Sequence, residues 1–306
     1  MFNPMVADGY LKTYSYGLPE AIALVVIMGA SAFALWFIRN AITPQDDHAE
    51  LRQGNVALAI ERGGYLLAQA VAMVYTIGGS YDPDDVGGSF ALIGGKAVYI
   101  IVMMVILGYV VDWATLPNVA NNDLLLKGNL AVATAMAGSY LGLGLVLGAS
   151  TVGTAETLGE TILASIAFAA LGLATVIAVI RVYIFLSSKS YQSSKSSFYQ
   201  EIKQGHTLPA LDLASLVVST ALLVSIGVAG DLTSWWEGFK AYSATCTVAL
   251  GLMLAFQWAA HRVTTHGVGA TAARNANQTA LVVMIAVARL SLALTVWAVM
   301  NHVIPN

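Results

Sequence analysis

The chain has 306 residues, of which 58% are apolar and only 10% are charged. Soluble globular proteins are about 45–50% apolar and about 25% charged, and disordered chains are more polar still, so this composition excludes both classes. The formal net charge of −3 offers no basic surface for a nucleic acid. Apolar residues occur instead in blocks of about 20, the length that crosses a bilayer as a helix.

Eight such blocks predict eight transmembrane helices, each long enough to cross about 30 Å of hydrocarbon. The predicted spans are, in chain order, Pro19–Arg39, Asn55–Ile77, Gly88–Trp113, Asn129–Gly148, Thr161–Leu186, Leu208–Val228, Ser234–Trp258 and Gln278–Met300. The sequence therefore predicts an all-α polytopic membrane protein made of four helix hairpins. In each hairpin, a polar loop joins an odd-numbered span to an even-numbered span.

Basic residues outside the membrane lie almost entirely on one side of the predicted spans. The loops that follow spans 1, 3, 5 and 7 hold nine of them: Arg39, Arg52, Lys127, Arg181, Lys189, Lys195, Lys203, Arg262 and Arg274. The opposite side holds Lys12. Since Lys and Arg accumulate in cytoplasmic loops, we expect a bacterial inner-membrane protein with both termini on the outer, periplasmic side.

The predicted outer loops are acidic instead. Their carboxylates are Asp82, Asp84, Asp85, Glu156 and Asp231. These residues form either a solvated, charge-biased surface or an attractive mouth for cations, because clustered like charge raises the local counter-ion concentration.

Two even-numbered spans begin with the same motif, Gly-Asn-x-Ala-x-Ala. It occurs at Gly54-Asn55-Val56-Ala57-Leu58-Ala59 and at Gly128-Asn129-Leu130-Ala131-Val132-Ala133. Degenerate versions begin span 6 at Gln204-Gly205-His206 and span 8 at Arg274-Asn275-Ala276-Asn277. The asparagines predict helix N-caps, and the glycines predict tight turns into the helices. The alternative is an anion site at these helix N-termini.

A second level of repetition relates the two halves of the chain, 1–152 and 153–306. Glu61 and Asp212 each lie seven residues after the glycine that precedes their span. We therefore expect two parallel four-helix halves, related by a pseudo-twofold axis along the membrane normal. The Ser- and Lys-rich segment 187–205 is predicted to be a flexible cytoplasmic linker inside the second half.

The repeated motif resembles that of the family catalogued as domain of unknown function 350, the YjfL-like integral membrane proteins. Typical members have two hairpins and four spans, so this chain resembles two such units fused. The match is specific at Gly54–Ala59 and Gly128–Ala133, and the Gly-Asn pair is eroded in the second half. The family has no established activity. The resemblance implies an association with envelope-stress systems of the phage-shock type and with polyamine- or peptide-modifying ligases.

Ionisable residues inside the spans are the sharpest local signal, because a charge at the bilayer centre costs at least about 2.5–3.5 kcal/mol. We identify Glu61, Arg62, Lys96, Asp212, Lys240 and Arg289. Arg289 lies mid-span, too deep to snorkel fully, and Glu61 and Asp212 are the acids nearest to it in depth. We therefore expect these three residues to form one buried cluster with Arg62. The cluster is either a structural ion-pair network or a proton- or cation-handling site.

Lys96 and Lys240 head matching Lys-Ala pairs nearer the outer face, where a long side chain can snorkel. Glu237 stands three residues before Lys240, a spacing that allows an ion pair on a helix. The spacings Gly138-x-x-x-Gly142 and Gly144-x-x-x-Gly148 predict close helix packing, either within the chain or between copies of it.

The chain contains no phosphate-binding glycine loop, His-Glu-x-x-His, Gly-x-Ser-x-Gly or cysteine pair. We therefore predict no enzymatic activity, metal or cofactor, and expect a structural or partner-binding membrane component. One alternative is a transporter or channel for protons, metal cations or polyamines, and another is a membrane enzyme that acts on lipid. The expected partners are membrane lipids and a homo-oligomer or larger membrane complex. A small cationic solute is a further candidate partner, and a nucleic acid is not expected.

Overall fold

The computed structural model describes residues 4–43, 46–117, 121–153, 155, 157–190, 198–264 and 279–303. Within these ranges the chain forms eleven helices, eight long and three short. The long helices are α1 (Pro4–Ile42), α3 (Val56–Gly78), α4 (Val86–Thr115), α6 (Leu130–Ser150), α7 (Leu158–Ser190), α9 (Thr207–Val228), α10 (Trp235–Thr264) and α11 (Thr279–Val303). Each is long and apolar enough to cross a membrane, and each contains one predicted span almost entirely, so the eight-span prediction is confirmed.

The three short helices lie in the loops that join the two spans of a hairpin. They are α2 (Asp47–Arg52), α5 (Asn121–Leu126) and α8 (Phe198–Lys203). We call the side of the molecule that carries them the short-helix side, and the opposite side the far side. The short-helix side is the predicted cytoplasmic side.

The three short helices end in the same way, and the glycine of the motif makes this possible. Gly54, Gly128 and Gly205 have φ angles of 84°, 77° and 90°, a left-handed conformation that glycine adopts without steric cost. In each, the backbone N–H donates to the carbonyl of the third residue before it, which closes the short helix. The chain then turns directly into α3, α6 or α9. The predicted role of the glycines as tight turns is confirmed.

The even-numbered spans form a row through the centre of the molecule, in the order α3, α6, α9, α11. The odd-numbered spans α1, α4, α7 and α10 pack against this row. The two middle helices are the core, since 72% of an 18-residue apolar window in α6 and 83% of that in α9 is buried, against 11% of the window in the first span. One apolar cluster contains most of the buried residues of the first three hairpins together with Tyr242 and Cys246 of α10, and a second cluster joins α9, α10 and α11.

Small residues let α6 approach both of its neighbours in the row. Gly138 and Gly142 face Ala214 and Val217 of α9 so closely that added Cβ atoms would clash there. Gly144 and Gly148 face the backbone of α3 in the same way, at Ala68 and Ala72. The predicted small-residue contacts are therefore made within the chain. These four glycines are occupied by α3 and α9, so they do not provide the predicted surface for a second copy.

The linker prediction needs correction at both of its ends. Helix α7 continues to Ser190, and residues 198–203 form α8, so most of segment 187–205 is helical. Residues 191–197 lie outside the described residues, as do Glu156, Arg274 and the degenerate motif that precedes span 8. Polar composition alone suggested flexibility, but Phe198 and Ile202 bury one face of α8 against the bundle.

Candidate functional site

The first candidate site is a buried network on the short-helix side of the first hairpin. Glu61, in the second turn of α3, accepts hydrogen bonds from Arg62 (Nη1 to Oε2, 2.8 Å) and from Arg39 (Nη2 to Oε1, 3.3 Å). The Arg62 guanidinium also donates two hydrogen bonds to the Asp47 carboxylate of α2, from Nε to Oδ2 at 2.6 Å and from Nη2 to Oδ1 at 3.0 Å. All four residues are at most 4% exposed. A bidentate guanidinium–carboxylate pair fixes orientation, so α2 is fastened to α3.

Arg39 extends this network into the second hairpin. Its Nη2 atom donates to the hydroxyl of Tyr140 in α6 at 2.8 Å and lies 3.6 Å from Oδ2 of Asp112 in α4. The Tyr140 hydroxyl donates to Asp112 Oδ1 at 2.7 Å. The ring of Tyr65 lies 5.0 Å from the Arg39 guanidinium, close enough for a cation–π contact. One network thus joins α1, α2, α3, α4 and α6.

The second network joins α7, α9 and α11 in the second half of the chain. Arg289 Nη1 lies 3.0 Å from Asp212 Oδ1, and it donates to Ser215 Oγ at 2.8 Å and to the Asp212 carbonyl at 2.9 Å. Tyr183 of α7 donates to Asp212 Oδ2 at 2.5 Å. The guanidinium also lies 5.7 Å from the centre of the Tyr183 ring. Asp212 and Arg289 are 2% and 1% exposed.

The prediction of one cluster containing Glu61, Arg62, Asp212 and Arg289 is therefore wrong. The structure places these residues in two networks, with Glu61 and Arg62 in one and Asp212 and Arg289 in the other. The reason is the linear row of even-numbered spans, in which α6 lies between α3 and α9. Helix α6 carries Ala135 at the position that corresponds to the two acids, and an alanine side chain has no polar group that could bridge them.

Several members of the networks were not among the predicted site residues. Arg39 was assigned to a loop because it ends an apolar block, yet it is 3% exposed. Asp112 lies inside a predicted span, and its charge at that place is a signal that sequence analysis could have used. Asp47 gave no such signal, because it lies in a polar loop. Tyr140 and Tyr183 gave none either, since tyrosine is common in apolar spans.

The two lysines at matching positions have different surroundings. Lys96 is 9% exposed, and its ammonium donates to Ser80 Oγ at 2.8 Å and to the Thr151 carbonyl at 2.6 Å. The Lys96 side chain is buried, and both of its partners lie at far-side helix ends, since Ser80 lies two residues after the end of α3 and Thr151 is the C-cap of α6. Lys240 is exposed and forms the predicted ion pair with Glu237 at 2.6 Å.

The motif asparagines make two sets of contacts. Asn55 Oδ1 accepts from Leu58 N, and Asn129 Oδ1 accepts from the N–H groups of residues 131 and 132, so both are N-caps as predicted. Their amide nitrogens act between hairpins. Asn55 Nδ2 donates to the Leu125 carbonyl of α5 at 3.1 Å, and Asn129 Nδ2 donates to the Lys203 carbonyl of α8 at 3.0 Å. Each motif therefore ties its hairpin to the short helix of the next one.

The third copy of the motif lacks this contact among the described residues. His206 occupies the N-cap position of α9 but makes no side-chain cap hydrogen bond.

The short helix α8 is also held by a contact with α7, in which Tyr199 accepts a hydrogen bond from Arg181 Nη1 at 3.3 Å. Burial raises the pKa of the Tyr199 hydroxyl above its ordinary value, and the nearby Arg181 charge only partly opposes this effect.

The predicted outer acidic loop lies on the far side and is exposed. Asp85 caps α4 by accepting from Gly88 N at 3.0 Å, and Asp82 accepts from Asp84 N at 2.9 Å. These bonds hold a local turn. Among the described residues, no group of three or more His, Cys, Asp or Glu side chains could hold a metal ion.

Three cavities lie away from both networks. One of about 420 Å³ surrounds the first two motifs on the short-helix side, where the Glu50 carboxylate accepts from Asn55 Nδ2 at 3.2 Å. An acid beside this helix N-terminus favours capping over an anion site. A mostly apolar crevice of about 470 Å³ lies on the far side between the even-numbered spans. A third cavity, of about 230 Å³, lies at the far-side ends of α6 and α9. No residue of either network lines these three cavities.

The eight apolar helices and the repeated cap motif define a multi-pass α-helical membrane protein built from successive hairpins. The family model of the Domain of Unknown Function DUF350 matches twice, over residues 13–102 and 88–228. These matches cover well over half of the chain, which therefore belongs to the DUF350 family. They confirm the resemblance drawn from the motif and are consistent with repeated units. No curated protein and no solved structure matches the chain.

Proposed function

We propose that this protein is a non-enzymatic inner-membrane component that acts as a rigid array of helix hairpins, and that it serves an envelope-stress or polyamine-linked system through partners or lipids. The observation that carries this proposal is the state of the intramembrane charges. Glu61, Arg62, Asp212 and Arg289 are each at most 4% exposed, and each is paired. A translocation site needs hydrated access to its charges, whereas a structural pair is sealed in packing.

The hairpin contacts support the same role. On the short-helix side, Asn55 and Asn129 make hydrogen bonds between successive hairpins. Within the membrane, the glycines of α6 allow it to pack closely against α3 and α9. Buried ion pairs are weak contributors to net stability but strongly disfavour alternative arrangements that separate them. The array therefore has one register, which suits a platform for other membrane components.

Flux measurements in proteoliposomes test this proposal. We expect no flux of protons or of labelled spermidine above that of empty liposomes, both for the wild type and for the Glu61→Gln/Asp212→Asn variant. Asp84→Asn, an exposed far-side acid, is the matched control. Wild-type flux that disappears in the double variant, with folding intact, would make the protein a transporter. Partner binding is tested by cross-linking and co-purification from native membranes.

A transport role remains a second candidate because of one observation. Among the residues that the structure describes, the first network contains three carboxylates, from Asp47, Glu61 and Asp112, and two guanidinium groups, from Arg39 and Arg62. One negative charge there lacks a guanidinium counter-charge, and the Asp112 side chain is 23% exposed. Such a group could take up a proton or a cation. Flux lost selectively in Asp112→Asn would favour this candidate over a scaffold.

The orientation is proposed from the basic loops, with the short helices in the cytoplasm. Single cysteines introduced at Asp123 and Asp84, in a Cys246→Ser background, test it. We expect a membrane-impermeant thiol reagent, applied to intact spheroplasts, to label Asp84→Cys and not Asp123→Cys. The reverse pattern would invert the topology.

A further inference from the structure

Successive hairpins meet in the same way at two places in this chain, and we call each meeting a joint. On the short-helix side, Asn55 donates to two carbonyls at the end of α5, and Asn129 donates to two carbonyls at the end of α8. These carbonyls belong to the residues three and two positions before the next motif glycine. The side chains three positions before it, Leu125 and Ile202, are 1% and 0% exposed. In each joint, therefore, the last turn of a short helix is bonded and its apolar side chain is buried.

Inside the membrane, the two joints pack through equivalent small residues. Ala137 and Ala214 each stand nine positions after their motif glycine, and Gly64 and Gly138 each stand ten positions after theirs. A Cβ added to Gly64 would lie 2.5 Å from the Ala137 Cβ, and one added to Gly138 would lie 2.5 Å from the Ala214 Cβ. The chain thus builds one joint twice, between α3 and α6 and between α6 and α9.

The first hairpin presents the receiving half of this joint on α2, and among the described residues that half is uncovered. Leu51 stands three positions before its motif glycine, as Leu125 and Ile202 do, but it is 36% exposed. No side-chain amide in the described part of the chain donates to the carbonyl of Leu51 or of Arg52. The end of α2 therefore has the acceptors and the apolar side chain of a joint, without a preceding hairpin to cover them.

Helix α3 presents the membrane part of the same half. Gly63 stands at the position that Ala137 has in α6, and it is exposed. Within the described ranges, a Cβ added to Gly63 would meet no atom of another element within 4 Å. Ala59, four residues earlier, is also exposed, whereas its equivalent in α6, Ala133, is 0% exposed. We call this surface, formed by Leu51, Arg52, Ala59 and Gly63, the open joint.

The residue types of the open joint favour a helix over lipid as its occupant. Small residues let two helix backbones approach closely, whereas a lipid-facing surface gains nothing from them. The equivalent carbonyls of α5 and α8 accept from an amide in both complete joints, and lipid tails have no such donor. The open joint also lies at the first end of the row α3, α6, α9, α11 and continues it. Its occupant is therefore a further span of the even-numbered kind.

The chain carries an uncovered span of that kind at the opposite end of the row. Arg289 of α11 reaches Asp212 of α9, and Val287 stands two residues earlier, a spacing that turns a side chain by about 200° away from α9. Val287 and Ser291 are both exposed. The depth of Val287 is also suitable, because Asp212 stands seven positions after its motif glycine and Gly63 stands nine positions after its own.

We propose that the open joint binds the outer face of α11, at Val287 and Ser291, in a second copy of this chain. Copies then associate head to tail in the membrane plane, with each first hairpin receiving the last span of its neighbour. Such a heterologous contact forms a ring or an open row, depending on the angle between copies. The inference goes beyond the role proposed above, which needs only one chain, so a failure of self-association would leave that role in place.

Disulfide cross-linking between two differently tagged copies in proteoliposomes tests the proposal. One copy carries Gly63→Cys and the other carries Val287→Cys, both in a Cys246→Ser background. We expect oxidation to give a linked pair that carries both tags. In the control, Gly95→Cys replaces Gly63→Cys, because Gly95 is an exposed glycine of α4 outside the open joint. It should give no linked pair with Val287→Cys.

Blocking the open joint provides a second test. Gly63→Leu should weaken self-association of the full chain in detergent by at least about tenfold, because a bulky side chain keeps the two backbones apart. Energy transfer between labelled copies on dilution measures this, and Gly95→Leu should leave it unchanged. A Cβ added at either glycine meets no atom of another element within 4 Å in the described part of the chain. Both variants should therefore fold, and thermal unfolding in the same detergent checks this.

Three results would overturn the proposal. Linkage of Gly63→Cys to a second Gly63→Cys copy, without linkage to Val287→Cys, would show that first hairpins face each other. Equal weakening by Gly63→Leu and Gly95→Leu would show unspecific association. Absence of both the linked pair and energy transfer between wild-type copies would show that the open joint receives no second copy.

Discussion

The two buried networks start from an acid at the same place in the hairpin repeat, seven residues after the motif glycine. Glu61 obtains its counter-charges from within the first hairpin, from Arg39 of α1 and from its neighbour Arg62. Asp212 is paired with Arg289, which lies in the last hairpin. The comparison shows that both hairpins carry the acidic residue at the same position, but that the arginine paired with it comes from a different hairpin in each case. The first network is extended and branched, and the second is compact.

The largest expected effect is in the compact network. Arg289→Met leaves the Asp212 carboxylate buried without its guanidinium, so we expect a loss of about 3–5 kcal/mol in the free energy of unfolding. Adding Asp212→Asn should restore most of it, because the uncompensated charge is then gone. Denaturant titration in mixed micelles measures both variants. Lys240→Met, which breaks an exposed pair, serves as control and should change stability by less than about 1 kcal/mol. A double variant no better than the single one would contradict this account.

A smaller loss is expected in the branched network. Glu61→Gln removes one carboxylate, but Arg62 keeps its forked contact with Asp47, and Arg39 keeps Tyr140 and Asp112. We expect a loss of about 1–3 kcal/mol, below that of Arg289→Met, in the same titration. If Glu61→Gln were the more damaging change, the branching of the first network would not provide the redundancy inferred here.

The smallest expected effects concern the asparagine contacts between successive hairpins, which are present in the first half of the chain at Asn55 and Asn129. Asn55→Ala and Asn129→Ala each remove a helix cap together with a bond to the next hairpin, and we expect about 1–2 kcal/mol for each. His206→Ala is the matched control at the equivalent position, and it should cost less because His206 makes no side-chain cap bond. Hydrogen exchange of α5 and α8 provides a local readout. Faster exchange in α5 for Asn55→Ala, but not for His206→Ala, is the expected pattern.

The sequence predicted the spans because apolar length is a direct physical requirement of the bilayer. It also predicted the caps at Asn55 and Asn129, since capping depends on local chemistry. The partners of the intramembrane charges could not be predicted in the same way. Depth along a helix is readable from the sequence, but neighbours across the bundle depend on the order of helices in the row. Glu61 and Asp212 share a depth and still lie on different sides of α6.

The role of Asn55 between hairpins was beyond sequence analysis for a similar reason. A cap within one helix is local, whereas its amide contact with α5 joins residues 70 positions apart. The pseudo-twofold relation of the halves and the boundary at 152 remain predictions. The second family match begins at residue 88, in the third span, so the matched units do not mark that boundary.

The contact between each asparagine and the next short helix bears on how the chain is inserted into the membrane. Asn55 bonds a carbonyl 70 residues later, and Asn129 bonds one 74 residues later. During synthesis, the joint of one hairpin cannot close until the short helix of its successor has emerged from the ribosome. The first and second hairpins can therefore complete these bonds only after the next hairpin is made, so the second and third hairpins each close a joint with the hairpin before them.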